Sequence, residues 1–148
     1  MPTKHLFYVF DANVIISALL LSDSTPRRAF DKARTHGRIL LSEPVINELD
    51  DVLRRPRFEK YIHKDERIRF LVALLRDAHI VRVTETVTDC RDSKDNKYLE
   101  LANEAQASCI VTGNKDLLDL HPYRGIAILT PRQFLDASPE PDVAGFSS

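Results

Sequence analysis

The feature that most constrains this chain is an apolar strand that runs directly into a carboxylate. The segment LFYVFDANVIISALL, residues 6 to 20, begins with apolar, aromatic and β-branched residues, which is the composition of a buried strand. Asp11 follows this strand at once, Asn13 stands two residues further on, and the residues from Val14 to Leu21 predict a helix. A carboxylate at the end of a buried strand needs hydrogen-bond donors or a cation as partners.

Strand and helix patterns alternate along the rest of the chain. Further strands are predicted at 38–41, 80–83, 108–111 and 126–129, and helices at 26–35, from 43 to about 53, 64–78, 95–107, 114–120 and 131–136. The apolar strands predict an α/β fold of three layers, α/β/α, with a central parallel sheet of about five strands. On the helix at 64–78, we expect an apolar face to lie in the core; it carries Ile68, Leu71, Val72 and Leu75.

Length and composition indicate one compact domain. The chain has 148 residues, of which 43% are hydrophobic, and no internal repeat. We assign residues 1–137 to the domain and the Pro-, Ser- and Gly-rich residues 138–148 to a flexible C-terminal tail. The net charge of -1 gives no overall attraction to a polyanion, which a local basic patch or metal ions would have to hold.

Cysteine spacing and hydropathy indicate the compartment. Cys90 and Cys109 do not have the spacing of a zinc site, and we expect two buried thiols in a reducing environment. The longest apolar run is far too short to span a membrane, and the first ten residues do not contain the parts of a secretory leader in series. These features predict a cytoplasmic protein with no membrane partner.

Four acidic residues are expected at one edge of the sheet. Ligands of an open parallel sheet bind beyond the carboxyl ends of its strands. Asp11 ends the first strand, and Asp116 follows the strand SCIVT. Asp95 opens the helix that leads into that strand, and Glu48 lies on a helix face shared with Leu49. Their convergence would bring like charges together, which is costly unless a cation neutralises them.

A hard divalent ion suits such a cluster. Mg²⁺ or Mn²⁺ takes oxygen ligands, keeps several waters and can activate one of them against a phosphodiester, so no nucleophilic side chain is needed. Each acid also has a structural explanation: a helix cap for Asp11, a favourable helix-start charge for Asp95, a turn for Asp116 and a solvated charge for Glu48. For each acid taken singly, both explanations stay open.

The segment RDSKDNKYLELA offers two candidate acids, Asp92 and Asp95. If the helix begins near Ser93, Asp95 lies in its first turn on the inward face. That face also carries Tyr98, Leu99 and Ala102. The neighbours expected to project elsewhere are Lys94, Asn96 and Lys97. Asp92 precedes the helix and is expected to be a turn or capping residue.

Three segments in this order resemble the PIN domain: DANVIISALL, EPVINEL and RDSKDNKYLELANEAQASCIVTGNKDLLDL. More narrowly, they resemble the PIN proteins assigned as toxins of type II toxin–antitoxin pairs, and the likeness extends from about Leu6 to Leu135. The resemblance implies a ribonuclease that depends on Mg²⁺ or Mn²⁺, with a central parallel sheet and an acidic pocket. It also implies a cognate antitoxin as partner, and it leaves a homodimer open.

Position by position, the resemblance implies that the metal ligands and catalytic acids are Asp11, Glu48, Asp95 and Asp116. In the segment TGNKD, many members of the family have Asp where this chain has Asn114, which removes one charge and leaves open whether a second metal ion binds. The residues assigned to substrate binding are Asn13, Thr112, Asn114, Arg54 and Arg55.

Other functions fit less well, and one of them stays open. Haloacid-dehalogenase-like phosphatases require DxDx[TV], but Asn13 replaces the second acid; receiver domains require an acidic pair and a late Lys that are not evident; and the glycines form no P-loop. The open alternative is a non-catalytic RNA-binding or partner-binding module with phosphate contacts from basic clusters. The first cluster, which solvent exposure alone explains, is Arg27, Arg28, Lys32 and Arg34; the second is Arg54, Arg55, Arg57 and Lys60.

Overall fold

Parallel strands form the centre of the protein. The computed structural model describes residues 6–137, and the tail predicted at 138–148 lies outside that part of the chain. The strands are β1 (Leu6–Phe10), β2 (Gly37–Leu41), β3 (His79–Ile80), β4 (Cys109–Val111) and β5 (Ala127–Leu129). They form one five-stranded sheet in the order β3-β2-β1-β4-β5, and every neighbouring pair is parallel.

Helices connect the strands and cover the sheet. They are α1 (Ala12–Leu20), α2 (Thr25–His36), α3 (Glu43–Leu53), α4 (Pro56–Glu59), α5 (Lys64–Asp77), α6 (Asn96–Ala105), α7 (Lys115–Leu118) and α8 (Pro131–Asp136), with a 3₁₀ turn at Ser93–Asp95 before α6. A proline stands in the first turn of α2, α3, α4 and α8, where its missing N–H leaves no bond unmade. The predicted three-layer α/β/α fold with a parallel sheet is confirmed.

Some predicted boundaries are wrong. The strand predicted at 80–83 is confined to His79–Ile80, because the chain leaves the sheet after Val81 N donates to Leu41 O over 2.8 Å. The helix predicted at 95–107 begins at Asn96 and ends at Ala105, since Gln106 takes a left-handed conformation with φ of 54°. Helix α4 has no counterpart in the sequence-based prediction.

The apolar face of α5 that was predicted to lie in the core is largely exposed. The exposed fractions are 45% for Ile68, 57% for Val72 and 37% for Leu75, and Leu71 is only partly buried. Helix α5 packs through a different stripe, on which Leu74 is buried and the Phe70 ring contacts a ring of α2. The prediction fails because two apolar stripes lie side by side on this helix, and only tertiary packing selects one of them.

The core occupies the two faces of the sheet. Its fully buried large side chains come from the strands and from the helices packed on them, and they include Phe10, Ile15, Leu40, Leu49, Tyr98, Leu99 and Ile110. Cys90 and Cys109 are free, buried thiols, as predicted. No helix within residues 6–137 combines the length and the apolar character needed to cross a membrane.

The strand order places a crevice between β1 and β4. From β1 the chain builds one side of the sheet through β2 and β3 and then returns to build the other side through β4 and β5. Such a reversal is where ligands bind in open parallel sheets. Phe10 pairs with Val111, so the residues that follow them, Asp11 and Thr112, emerge side by side at this reversal.

Candidate functional site

Asp11 lies in the crevice between β1 and β4. It is 3% exposed and forms the N-cap of α1, because its Oδ1 accepts the N–H of Asn13 over 3.0 Å. Its Oδ2 accepts the hydroxyl proton of Thr112 over 2.8 Å. The carboxylate therefore does cap a helix, but a carboxylate has about four lone-pair positions and these bonds fill only some of them.

Asp95 approaches from the 3₁₀ turn that precedes α6. It is 4% exposed, and its Oδ2 accepts an amide N–H of Asn114 over 2.7 Å. Its Oδ1 accepts no hydrogen bond from residues 6–137. Asp92 instead caps the turn, since its Oδ1 accepts the N–H of Lys94 over 3.2 Å. The structure thus shows the inward position expected for Asp95 and the capping position expected for Asp92.

Glu48 extends from α3 and is held by two residues of α6. Its Oε1 accepts the hydroxyl proton of Tyr98 over 2.5 Å and pairs with Lys97 Nζ over 3.1 Å. Tyr98 is completely buried, and its oxygen in turn accepts the N–H of Ala12, the first residue of α1, over 3.0 Å. Tyr98 therefore connects Glu48 to the helix that begins beside Asp11.

Buried charge links these acids electrostatically. Burial raises the pKa of Asp11 above its ordinary value and the charge of Glu48 raises it further, although two hydrogen bonds oppose the rise. Burial and the charge of Asp11 raise the pKa of Asp95. The ammonium of Lys97 lowers the pKa of both aspartates without cancelling these effects. Asp11, Glu48 and Asp95 form one electrostatic unit, called here the acidic site.

Asp116 is turned toward a cation. Its Oδ1 pairs with Arg91 over 3.0 Å, and its side chain is 35% exposed. Its backbone N–H donates to Asn114 Oδ1 over 2.8 Å. Of the four predicted acids, three interact electrostatically in the acidic site, whereas the carboxylate of Asp116 pairs with Arg91.

The acidic site offers oxygen ligands that suit a divalent cation, without a complete cage. No three His, Cys, Asp or Glu side chains within residues 6–137 are grouped so that they could hold a metal ion. Mg²⁺ is commonly bound by only one or two carboxylates, with water and substrate phosphate supplying the remaining ligands. Asp11 and Asp95, both buried and both with raised pKa, fit that requirement. The ligand set of four acids stays a prediction.

A cleft of about 440 Å³ opens beside Asp11. Its walls come from α1, from the residues after β4, and from the first turns of α2 and α8, and they include Asn13, Ser17, Pro26, Gly113, Asn114 and Pro131. Two residues predicted to bind RNA, Asn13 and Asn114, therefore line an open surface. Thr112 is fully buried against Asp11, so the structure gives it a positioning contact, and its RNA contact stays a prediction.

The predicted basic residues are partly neutralised. Arg54 pairs with Asp50 over 3.0 Å and Arg55 with Asp51 over 3.7 Å, while both arginine side chains are at least 50% exposed. Each remains accessible to a phosphate that replaces its aspartate. Lys32 is different, because its Nζ donates to backbone carbonyls at the end of α8 and is therefore a structural cation.

Lys97 and Tyr98 are site residues that the sequence did not reveal. The expectation that Lys97 projects elsewhere is wrong: only about 100° of helix rotation separates it from Tyr98, and its long stem spans that angle to reach Glu48. The same expectation is wrong for Asn96, which is buried and whose Oδ1 accepts the N–H of Cys90 over 2.8 Å. A tyrosine on an otherwise apolar face was the available indication, since a buried tyrosine usually finds a hydrogen-bond partner.

The chain is similar to a known protein family, to a relative by sequence and to solved structures. The family model described as PIN domain matches residues 8–116. Uncharacterized protein MJ1680 of Methanocaldococcus jannaschii is 28% identical over 138 residues, which cover 86% of this chain and 88% of that protein. VapBC2 from Rickettsia felis, solved bound to a DNA fragment from their promoter, has a TM-score of 0.55 at 16% identity, over 83% of this chain and 97% of that chain. PAE2754 from Pyrobaculum aerophilum has a TM-score of 0.58 at 17% identity, over 88% of both chains.

Proposed function

Because this chain belongs to the PIN domain family, we propose that it is a metal-dependent endoribonuclease that hydrolyses RNA phosphodiester bonds. PIN domains are generally nucleases that depend on a divalent metal ion. We assign Mg²⁺ or Mn²⁺ as the ion, RNA as the substrate, and Asp11, Glu48, Asp95 and Asp116 as the acids that serve the reaction.

The observation that carries this proposal is a pair of buried carboxylates at the end of the central strands. Asp11 is 3% exposed and Asp95 is 4% exposed, and each has a raised pKa. Neither carboxylate forms an ion pair with a Lys, Arg or His of residues 6–137. Two such groups oppose folding at neutral pH unless a cation is supplied. Carboxylates held in this way within a crevice are typical of a functional site.

The contacts of each side chain define what it does in this reaction. Thr112 fixes one oxygen of Asp11, and Asn114 fixes one oxygen of Asp95, which leaves other lone pairs of each carboxylate available to an ion. A divalent ion held by these oxygens would supply Lewis acidity toward the phosphate and would lower the pKa of a bound water molecule. Tyr98 holds Glu48 so that its charge stays beside the aspartates.

The cleft beside Asp11 is the proposed path for RNA. Asn13 and Asn114 line it and present amide groups that can bond to phosphate or ribose oxygens. Arg54 and Arg55 lie at the end of α3, the helix that carries Glu48, and we assign them contacts to the RNA backbone beyond the cleft. The net charge of -1 makes these local contacts necessary, because the protein as a whole does not attract a polyanion.

We assign the chain the biological role of the toxin in a type II toxin–antitoxin pair, acting in the cytoplasm with a cognate antitoxin as partner. The support is the resemblance of its three motif segments to such toxins and the similarity of its fold to VapBC2 from Rickettsia felis.

A second candidate is a non-catalytic module on the same fold. Asn114 in place of an acid and the pairing of Asp116 with Arg91 both favour it, because they reduce the charge available to a metal ion. The two candidates differ in their dependence on metal.

Incubation of the purified protein with a mixed RNA pool separates them. The nuclease is expected to cleave RNA with Mg²⁺ or Mn²⁺ and to lose cleavage in EDTA. Asp11→Asn protein, prepared in the same way, controls for contaminating ribonuclease. RNA binding that persists in EDTA, with no cleavage at any concentration of either ion, would support the binding module and contradict the proposed enzyme.

A further inference from the structure

One ammonium group lies against the carboxylates of the acidic site. Lys97 Nζ pairs with Glu48 Oε1 over 3.1 Å and lies 5.3 Å from the centre of the Tyr98 ring. It also donates to the backbone oxygen of Lys94. The Lys97 side chain is 16% exposed and that of Glu48 is 24% exposed.

This ion pair differs from the others in the described part of the chain. In every other pair formed by residues 6–137, both side chains are at least 35% exposed. Screening by water makes such exposed pairs weak, whereas a partly buried pair retains more of its attraction. The charge of Lys97 also reaches Asp11 and Asp95, whose pKa values it lowers. The single positive charge of Lys97 therefore interacts with all three carboxylates of the acidic site.

A divalent ion bound to the acidic site would compete with this ammonium. Both are attracted by the same carboxylates, and the two cations repel each other at a separation of a few ångströms. A lysine ammonium is a compact charge on a flexible stem, so it can leave Glu48 without movement of the backbone.

We propose that Lys97 is the resident counter-ion of the metal-free acidic site, and that a divalent cation displaces its ammonium from Glu48. The inference rests on the proposed function, because it requires that Mg²⁺ or Mn²⁺ binds beside Asp11. Lys97 is thus a positioning residue: it keeps Glu48 oriented before metal binds, and it weakens metal binding by competition.

The variant Lys97→Met separates charge from packing, because methionine keeps an apolar stem over Tyr98 and removes the ammonium. In calorimetric titration of the RNA-free protein, its affinity for Mn²⁺ is expected to rise about tenfold. Its melting temperature without metal is expected to fall, because Glu48 loses its cation. These opposite changes distinguish the counter-ion from a merely structural lysine, whose removal would weaken both properties.

Lys94→Met is the matched control. It removes the same charge from the same region, but its side chain is 71% exposed and pairs with Asp92 over 3.6 Å. Its affinity for Mn²⁺ is expected to stay within about twofold of that of the wild type.

Amine acetylation of the wild-type protein, followed by mass spectrometry, measures the displacement directly and does not depend on the folding of a variant. Addition of Mg²⁺ is expected to increase acetylation of Lys97 several-fold and to leave Lys94 unchanged. Unchanged acetylation of Lys97, or unchanged or weaker Mn²⁺ binding by folded Lys97→Met protein, would overturn the inference. Wild-type protein that binds no Mn²⁺ would instead contradict the proposed function on which the inference rests.

Discussion

Asn114 donates an amide N–H to Asp95 Oδ2 over 2.7 Å, so a neutral side chain holds a buried carboxylate. The same amide accepts the N–H of Asp116 through its oxygen over 2.8 Å. An aspartate at this position could accept the second bond but not donate the first, and it would face Asp95 with a second negative charge. The asparagine therefore lowers the charge of the site in the absence of metal.

The variant Asn114→Asp is expected to bind Mn²⁺ about tenfold more tightly and to melt at a lower temperature without metal, because its new carboxylate repels Asp95 until a cation binds. Titration calorimetry and thermal melts measure the two effects. The control is Asn103→Asp, which also removes a hydrogen bond from a side-chain amide to a carboxylate, in this case that of Glu85 at an exposed position. Equal Mn²⁺ affinity in Asn114→Asp and wild-type protein would place Asn114 outside the metal site.

Removal of the Tyr98 hydroxyl tests how Glu48 is positioned. The variant Tyr98→Phe leaves the N–H of Ala12 without its partner and leaves Glu48 Oε1 with the Lys97 ammonium alone, which is expected to cost about 1–3 kcal/mol of unfolding free energy. It is also expected to weaken Mn²⁺ binding, because Glu48 becomes free to move. Tyr123→Phe loses a similar bond, to Asp89 over 2.5 Å, and should affect stability alone. Metal binding that falls equally in both variants would argue against a specific role for Tyr98.

The two acids of the segment RDSKDNKYLELA are expected to differ in function. Asp95 is buried and faces Asn114, whereas Asp92 caps a turn. Asp95→Asn should lower Mg²⁺-dependent RNA cleavage by at least about a hundredfold, since loss of metal positioning costs a few kcal/mol of barrier. Asp92→Asn should cost less than about tenfold, through a loss of local stability of roughly 1 kcal/mol. Greater damage from Asp92→Asn on the same RNA and at the same metal concentration would reverse the assignment.

The sequence predicted the placement of Asp11 and Asp95 because both depend on local rules. A strand that alternates with helices ends at a known edge of the sheet, and helical spacing assigns a face to each residue. The partners of Lys97 and Asp116 could not be predicted in this way. Lys97 on α6 contacts Glu48 on α3, and Asp116 on α7 contacts Arg91, which lies in a segment without regular structure. Both contacts therefore depend on tertiary packing and on the length of the side chains.

The same limit explains the error on α5. Residue spacing predicted burial of the apolar stripe through Ile68 and Val72, but the helix packs on the core through the neighbouring stripe, which carries Phe70 and Leu74. Which stripe is buried depends on the orientation in which α5 packs against α2, and the residue spacing within α5 does not determine that orientation.

The raised pKa values predict how the stability of the metal-free protein depends on pH. Because folding raises the pKa of Asp11 and of Asp95, the folded state binds their protons more tightly than the unfolded state does. Their contribution to stability is fully present below the ordinary pKa of 3.8 and is lost as pH rises through the raised values. Melting temperatures in EDTA, compared with those of the double variant Asp11→Asn/Asp95→Asn, should therefore favour the wild type increasingly as pH falls. A difference that does not vary with pH would contradict this electrostatic description.

RNA cleavage by the Asp11→Asn variant at saturating Mg²⁺ or Mn²⁺ is the decisive test of whether the acidic site performs metal-dependent hydrolysis of RNA. The amide fills the space of the carboxylate but is a far weaker metal ligand, so turnover is expected to fall by at least about a hundredfold. The melting temperature without metal should stay equal or rise, because one of several repelling charges is removed. We expect the folded variant to lose cleavage, whereas unchanged turnover at saturating metal would show that Asp11 does not serve RNA hydrolysis.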